Sequence, residues 1–343
     1  MLARSQVIRL PSGDQVATPL LIPSISSKGF DTIEIEGRQI SAVSGHLDVV
    51  ARDLNEALLV SAYDIAHGYL RESGAFSSDF VNSVFANPKV LVIDSGGYEA
   101  NPSASDLSQQ YHFAFTPKPW HEEELVRTID RMSADVRGFL VNFDRYGHPA
   151  EQAEAARAYF RGRDRFLGDF LVKPVEPGAY LDWRAVIEAA EALREFAILG
   201  VTEKELGDTV EDRIVTIAEL RRAMDERGIS QPIHIFGALD PIYTPLYFLA
   251  GAEIFDGLTW LRYGYHAGLT IYAEMLPALE GHLKMRTEQR VARFHVSNLA
   301  YLRDLERSMR EYAHKPDPAV LSTASPYLWS ARDNLSTEVR ELL

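Results

Sequence analysis

Residues 90–100 read VLVIDSGGYEA, and the way this stretch breaks decides the fold. Four apolar residues, Val90 to Ile93, stop at an acid, Asp94; a serine, two glycines and a tyrosine follow. An apolar run of this length bounded by glycine is the pattern of a buried strand. Asp94 then stands at the strand's carboxyl end. The pattern recurs in ALLVSAYD (57–64), GFLVNFDR (138–145), DFLVKPVEPG (169–178), FAILGVTE (196–203), PIHIFGALD (232–240) and AEIFDGLTW (252–260).

Helix-patterned stretches separate most of these runs. In HEEELVRTIDRMSADV the apolar residues Leu125, Val126, Ile129 and Met132 fall at helical spacing. DWRAVIEAAEALREF and VEDRIVTIAELRRAMDERG behave alike, the latter ending on Gly228, a C-cap residue. PIYTPLYFLAGA reads as a short apolar helix. Alternating strands and helices predict a parallel sheet. With at least seven candidate strands, the expectation is an α/β protein, a (β/α)8 TIM barrel. An open doubly wound sheet is the alternative, weakened because no GxGxxG follows the first strand. The opening 9–40 is rich in β-formers and turns and predicts an N-terminal β hairpin on the barrel's floor. After Thr270 the pattern turns helical, and TEQRVARFHVSNLAYLRDLERSMREYAHK (287–315) reads as one long amphipathic helix or two. The expected organisation is a catalytic barrel over 1–270 and a C-terminal helical extension over 271–343.

The 343 residues carry a net charge of −14, 46% hydrophobic residues and no cysteine. Disulfides and thiolate metal sites are therefore excluded. The acidic balance argues against tight nonspecific binding to nucleic acid, but it leaves room for a local basic groove. RTIDRMSADVRG, ARAYFRGRDRF and LKMRTEQRVARFH are locally basic; solvated helix faces explain such runs as well. The first residues lack an apolar leader, and no apolar run approaches a membrane span. The expected location is the cytoplasm, with no membrane partner.

In a parallel barrel the carboxyl ends of the strands form the active face. Asp94, Asp144, Asp256, Lys173, Gly200, Phe236 and Gly237 all fall at such ends. A single Asp there is usually a helix cap or turn residue. However, IDSGG and IFDGL place glycine at or just after the point where a cap would start its helix. Gly96 and Gly97 would let backbone approach a flat ligand. Tyr98 and Phe236 could enclose a planar heterocycle, although both also suit a core. Carboxylates accept from the N–H groups of a guanine-like edge, and a second carboxylate could attack an anomeric carbon. Asp64 and His67 could form a metal pair, but a satisfied polar pair is the plainer reading. No GxSxG elbow and no P-loop occur.

Taken in order, these segments resemble the tRNA-guanine transglycosylase superfamily. TPLLIPSIS (18–26) resembles its N-terminal TP-x-F-x-P-V segment, and VLVIDSGGYE (90–99) its DSGG-[FY] motif, the most specific match. VNFD (141–144) is similar to its base-binding Asp strand, and ILGVTEKE (198–205) to its glycine-bearing strand. IHIFGALDP (233–241) resembles its R-Y-L-M-G-x-G-x-P segment, and GAEIFDGLTWLR (251–262) is similar to its G-x-D-x-F-D-C-x-x-P-T-R segment, which carries the family's nucleophile. The resemblance runs over about Thr18 to Arg262. It implies a (β/α)8 glycosyltransferase that exchanges guanine for a 7-deazaguanine base in a polynucleotide. Under it, Asp256 is the nucleophile at C1′ and Asp94 the general acid/base. Asp144 accepts from N1 and N2 of the base; Ser95, Gly96, Gly97, Tyr98, Lys173, Gly200, Val201, Glu205, Phe236, Gly237 and Arg262 line the substrate.

Three departures modify that expectation. The family's zinc site needs three cysteines, so no cofactor and no metal is expected, although His295 lies near the ligand histidine. Lys173 stands where the family has a base-reading glutamine, and Tyr265 where it has an arginine that reads the tRNA loop. These changes favour the branch that acts on DNA, narrowly, over a tRNA enzyme. A base hydrolase on the same site and a non-catalytic binding subunit are the alternatives. A homodimer and a partner protein are both left open.

Overall fold

A computed structural model describes residues 2–35, 38–70, 78–101 and 116–343. Eight parallel strands close into a barrel. They are numbered here in chain order: β1 (Leu20–Ile25), β2 (Ala57–Ser61), β3 (Val90–Asp94), β4 (Gly138–Val141), β5 (Phe166–Leu171), β6 (Ile198–Thr202), β7 (Ile233–Phe236) and β8 (Ile254–Gly257). Each pairs with its neighbours in sequence, and β8 closes on β1 with Asp256 opposite Ile22 and Gly257 opposite Pro23.

One expectation is corrected. Leu20–Ile25 belongs to no hairpin; it is the first barrel strand, and the seven sequence runs supply the other seven. The hairpin is shorter, Val7–Arg9 with Gln15–Ala17. Its Ile8 and Val16, together with Leu10 from the turn, pack against the inward residues Leu20, Ile22, Leu59, Val90, Val92, Phe139 and Ile254. The hairpin thus plugs the barrel's amino-terminal end, and each of these side chains contributes roughly 1.5–3 kcal/mol by leaving water. Beneath it Arg221 meets Glu253 at 2.8 Å, both fully buried, and Gln6 donates to the same carboxylate at 2.7 Å. A second hairpin, Thr32–Ile35 with Arg38–Ser41, closes the same opening stretch.

Side chains alternate along each strand. Leu58, Val60, Leu91, Ile93, Leu140, Phe170, Leu199, Val201, Ile235 and Phe255 face the helical layer. That alternation carries Asp94, Asp169, His234 and Asp256 to the inner side, where an otherwise apolar stack turns polar towards the mouth.

The helix expected over 287–315 is a single one, Thr287–His314. Glu306 accepts from the Leu21 N–H at 2.7 Å, and Arg310 donates to the carbonyls of Ala17 and Pro19. Asn298 bonds the backbone of Trp260, Tyr263 and Tyr265. This helix therefore locks both β1 and the loop after β8. The expected boundary at 270 falls within a small hairpin, Gly264–His266 with Leu269–Ile271. Among the described residues no helix is long and apolar enough to cross a membrane.

Candidate active site

Asp94 is the last residue of β3, and Asp256 is the penultimate residue of β8. Both face the same barrel mouth. Asp256 is 6% exposed. Its Oδ2 accepts from Ser24 Oγ at 2.6 Å and its Oδ1 from the Gly237 N–H at 3.1 Å. Gly237 has φ 88°, a left-handed conformation that aims its N–H back at the carboxylate. Asp94 accepts from the Gly96 N–H at 3.0 Å. Burial pushes its carboxyl well above the usual range, and the charges of Glu99, Asp144 and Asp256 add to this; the Gly96 N–H opposes it. Asp94 is thus set to hold a proton that a departing group could take.

The glycines after Asp94 stand where a side chain would not fit. A Cβ on Gly97 would lie 2.5 Å from the Asp144 carboxylate, and one on Gly96 would lie 2.7 Å from Tyr63 Cβ and 2.9 Å from Trp120 Nε1. They clear room for the protein's own side chains. Asp144 consequently docks over the loop, where Ser95 Oγ donates to it at 2.7 Å. The Trp120 indole pins the Ser95 carbonyl at 2.8 Å.

Lys173, nearly buried, joins two acids. Its ammonium lies 2.7 Å from Glu205 Oε1 and 3.4 Å from Asp144 Oδ2. Burial works against its charge, but Asp144 and Glu205 outweigh it and raise its pKa. Glu205 Oε2 is buried with no partner. Tyr98 carries the Lys28 ammonium 4.4 Å from its ring centre and accepts from Arg262 at its hydroxyl, 3.2 Å away. Burial lowers Lys28 to about 8.

Gly200 and Val201 lie side by side near the end of β6. The Val201 side chain lies in the helix-facing core, away from the mouth. Gly200 is inward, but a Cβ there would meet Phe236 at 2.6 Å and Asp169 at 2.9 Å, so its bareness serves internal packing. Phe236 lies against His234, with ring centres 3.9 Å apart. Of the expected set, Gly96 bonds Asp94 and Gly237 bonds Asp256, Ser95 and Lys173 meet Asp144, Glu205 meets Lys173, and Arg262 meets Tyr98.

Sequence reasoning passed over several residues. Asp169 and His234 sit fully buried beneath Asp256: His234 Nδ1 is 2.6 Å from Asp169 and Nε2 is 3.4 Å from Asp256. Glu99, buried beside Asp94, takes bonds from Ser26 at 2.5 Å and Ser61 at 2.7 Å. Burial raises its pKa against those bonds. Asp64 is bound by the N–H and hydroxyl of Ser27 rather than by His67. The signal for Asp169 and His234 was present, a single polar residue within each of two apolar runs. Among the described residues no group of three or more His, Asp or Glu side chains could hold a metal. His295 pairs with His46, Nδ1 to Nδ1 at 3.4 Å, and burial lowers it to about 3. Tyr265 is core, donating to the Leu239 carbonyl. Compared with models of known protein families and with curated proteins, the chain finds no match.

Proposed function

We propose that this chain is a base-exchange glycosyltransferase that replaces guanine in a nucleic acid with a 7-deazaguanine base, and that the nucleic acid is DNA. The observation that carries the reading is the pair Asp94 and Asp256, inward on β3 and β8 at one mouth, with Asp256 among the charges that raise Asp94. The two environments differ as two roles require. Asp256 is met by donors on both oxygens. Asp94 is desolvated and set among other carboxylates.

In the proposed reaction a carboxylate oxygen of Asp256 bonds to C1′ while the C1′–N9 bond breaks. The departing guanine takes a proton from Asp94. The incoming base then returns its N9 proton to Asp94, its nitrogen bonds to C1′, and Asp256 leaves as carboxylate. Asp144 and Glu205 present acceptors to the N–H groups of a guanine-type edge, and Lys173 presents a donor to its carbonyl. A target nucleotide must swing out of its stack to reach this depth.

The test is incubation with radiolabelled guanine or 7-cyano-7-deazaguanine, with tRNA and duplex DNA in separate arms. Label is expected in DNA. Label in tRNA alone would move the substrate assignment to RNA, and free guanine released without incorporation would make the chain a hydrolase.

A further inference from the structure

We infer that His234, held by Asp169, is a positioning residue for Asp256: a charged imidazolium that aims that carboxylate and offsets its charge. The inference rests on the functional reading above only for its kinetic consequence.

The geometry is specific. Asp169 stands inward on β5 and His234 inward on β7, with β6 between them. The β6 residue opposite His234 is Gly200. Because it has no side chain, the ring reaches past β6 to Asp169 at 2.6 Å. A methyl group there would lie 2.9 Å from the Asp169 carboxylate. Phe236 covers one face of the ring. The charged groups acting on the imidazole are Asp169 from β5 and Asp256 from β8; β6 presents none. A fully buried imidazole alone would be neutral. Asp169 bonds Nδ1 at 2.6 Å, while Asp256 faces Nε2 at 3.4 Å without a hydrogen bond; the two carboxylates together raise its pKa to about 9.

The chemical consequence concerns the intermediate. When Asp256 bonds to C1′ its negative charge disappears, and His234 loses one of its two partners. When the bond breaks, the carboxylate re-forms facing the imidazolium. His234 therefore favours the free carboxylate over the ester, and it speeds release of the nucleotide from the enzyme.

Two measurements test this. The first is the nitrogen NMR spectrum of the whole protein labelled at histidine, with His234→Gln for assignment. One ring is expected to stay doubly protonated through pH 8, and to become neutral by pH 7 in Asp169→Asn. A His234 ring already neutral at pH 7 in the wild type, or indifferent to Asp169→Asn, overturns the inference whatever the activity. The second is base exchange. His234→Gln is expected to lower kcat about 10–100-fold with KM for the polynucleotide within about threefold, and to raise the fraction of enzyme trapped as covalent adduct. The wild-type decline in kcat above about pH 9 should vanish. Should His234→Gln misfold, the double variant Asp169→Asn/His234→Gln keeps a neutral hydrogen-bonded pair and serves instead. A fall in affinity at unchanged kcat in either variant contradicts the positioning role. A wild type that exchanges no base sinks the functional reading, and the NMR result then judges His234 by itself.

Discussion

Asp256→Asn is expected to lower exchange of labelled guanine by at least about 10³-fold, because an amide oxygen cannot form a stable glycosyl ester. The fold should survive. Asparagine keeps the volume, and its carbonyl oxygen can still accept from either Ser24 or the Gly237 N–H, the two donors that hold Asp256 now. Affinity for free guanine should change less than about tenfold, since Asp144 and Glu205, the acids proposed to face the base, are untouched. The comparison with Asp94→Asn is informative. That variant removes a carboxyl that burial and three neighbouring acids disfavour in its charged form. It should therefore lose exchange yet gain roughly 0.5–2 kcal/mol of stability at pH 7, the usual size of relief from a functional strain. Exchange rates and unfolding midpoints on the same preparations check both. Undiminished exchange in Asp256→Asn would mean that the nucleophile lies elsewhere.

The second large effect is a dependence of stability on pH. The imidazole of His234 titrates near 6.5 when unfolded and near 9 when folded. The folded state thus binds a proton more tightly. The resulting stabilisation is complete below about pH 6.5 and is lost as pH rises through about 9, in total on the order of 3 kcal/mol. Other shifted groups complicate the raw curve, Lys28 and Glu306 among them. Burial lowers Lys28 to about 8, so its effect runs the other way, with stability rising above that pH. Burial also raises Glu306 to about 7, so its charge costs stability as pH climbs towards neutrality. Groups that do not feel Asp169, these two included, titrate alike in wild type and in Asp169→Asn. The difference between the two denaturation curves, measured from pH 6 to 10, isolates the histidine. It should be large at pH 6 and shrink by pH 10.

Much of this architecture was legible because a parallel barrel writes itself as apolar runs that stop at functional residues. The runs ending near Asp94, Asp144 and Asp256 gave both strand positions and mouth. The eighth strand was hidden by Pro23 and Ser24, since proline within a run argues against a central strand. Here Pro23 lies opposite Gly257 at the β8–β1 seam. The glycines were legible as sites of close approach, but not what approaches: the Asp144 carboxylate at Gly97 and the Phe236 ring at Gly200 come from distant segments. The Asp169–His234 pair was missed for a similar reason. One polar residue in an apolar strand reads as an isolated core residue. Only the barrel's register brings β5 and β7 together over the bare Gly200. Alternation places neighbours on opposite faces, so the Val201 side chain beside the inward Gly200 points outward.

The central claim is that Asp256 bonds to a nucleotide while Asp94 handles the proton. The most direct measurement is the intact mass of the protein after incubation with duplex DNA in the absence of any incoming base, followed by peptide mapping. The account predicts an adduct of the nucleic acid on the peptide carrying Asp256, absent in Asp256→Asn and discharged on adding 7-cyano-7-deazaguanine. An adduct on another residue, or guanine released with no adduct at any time, would contradict it.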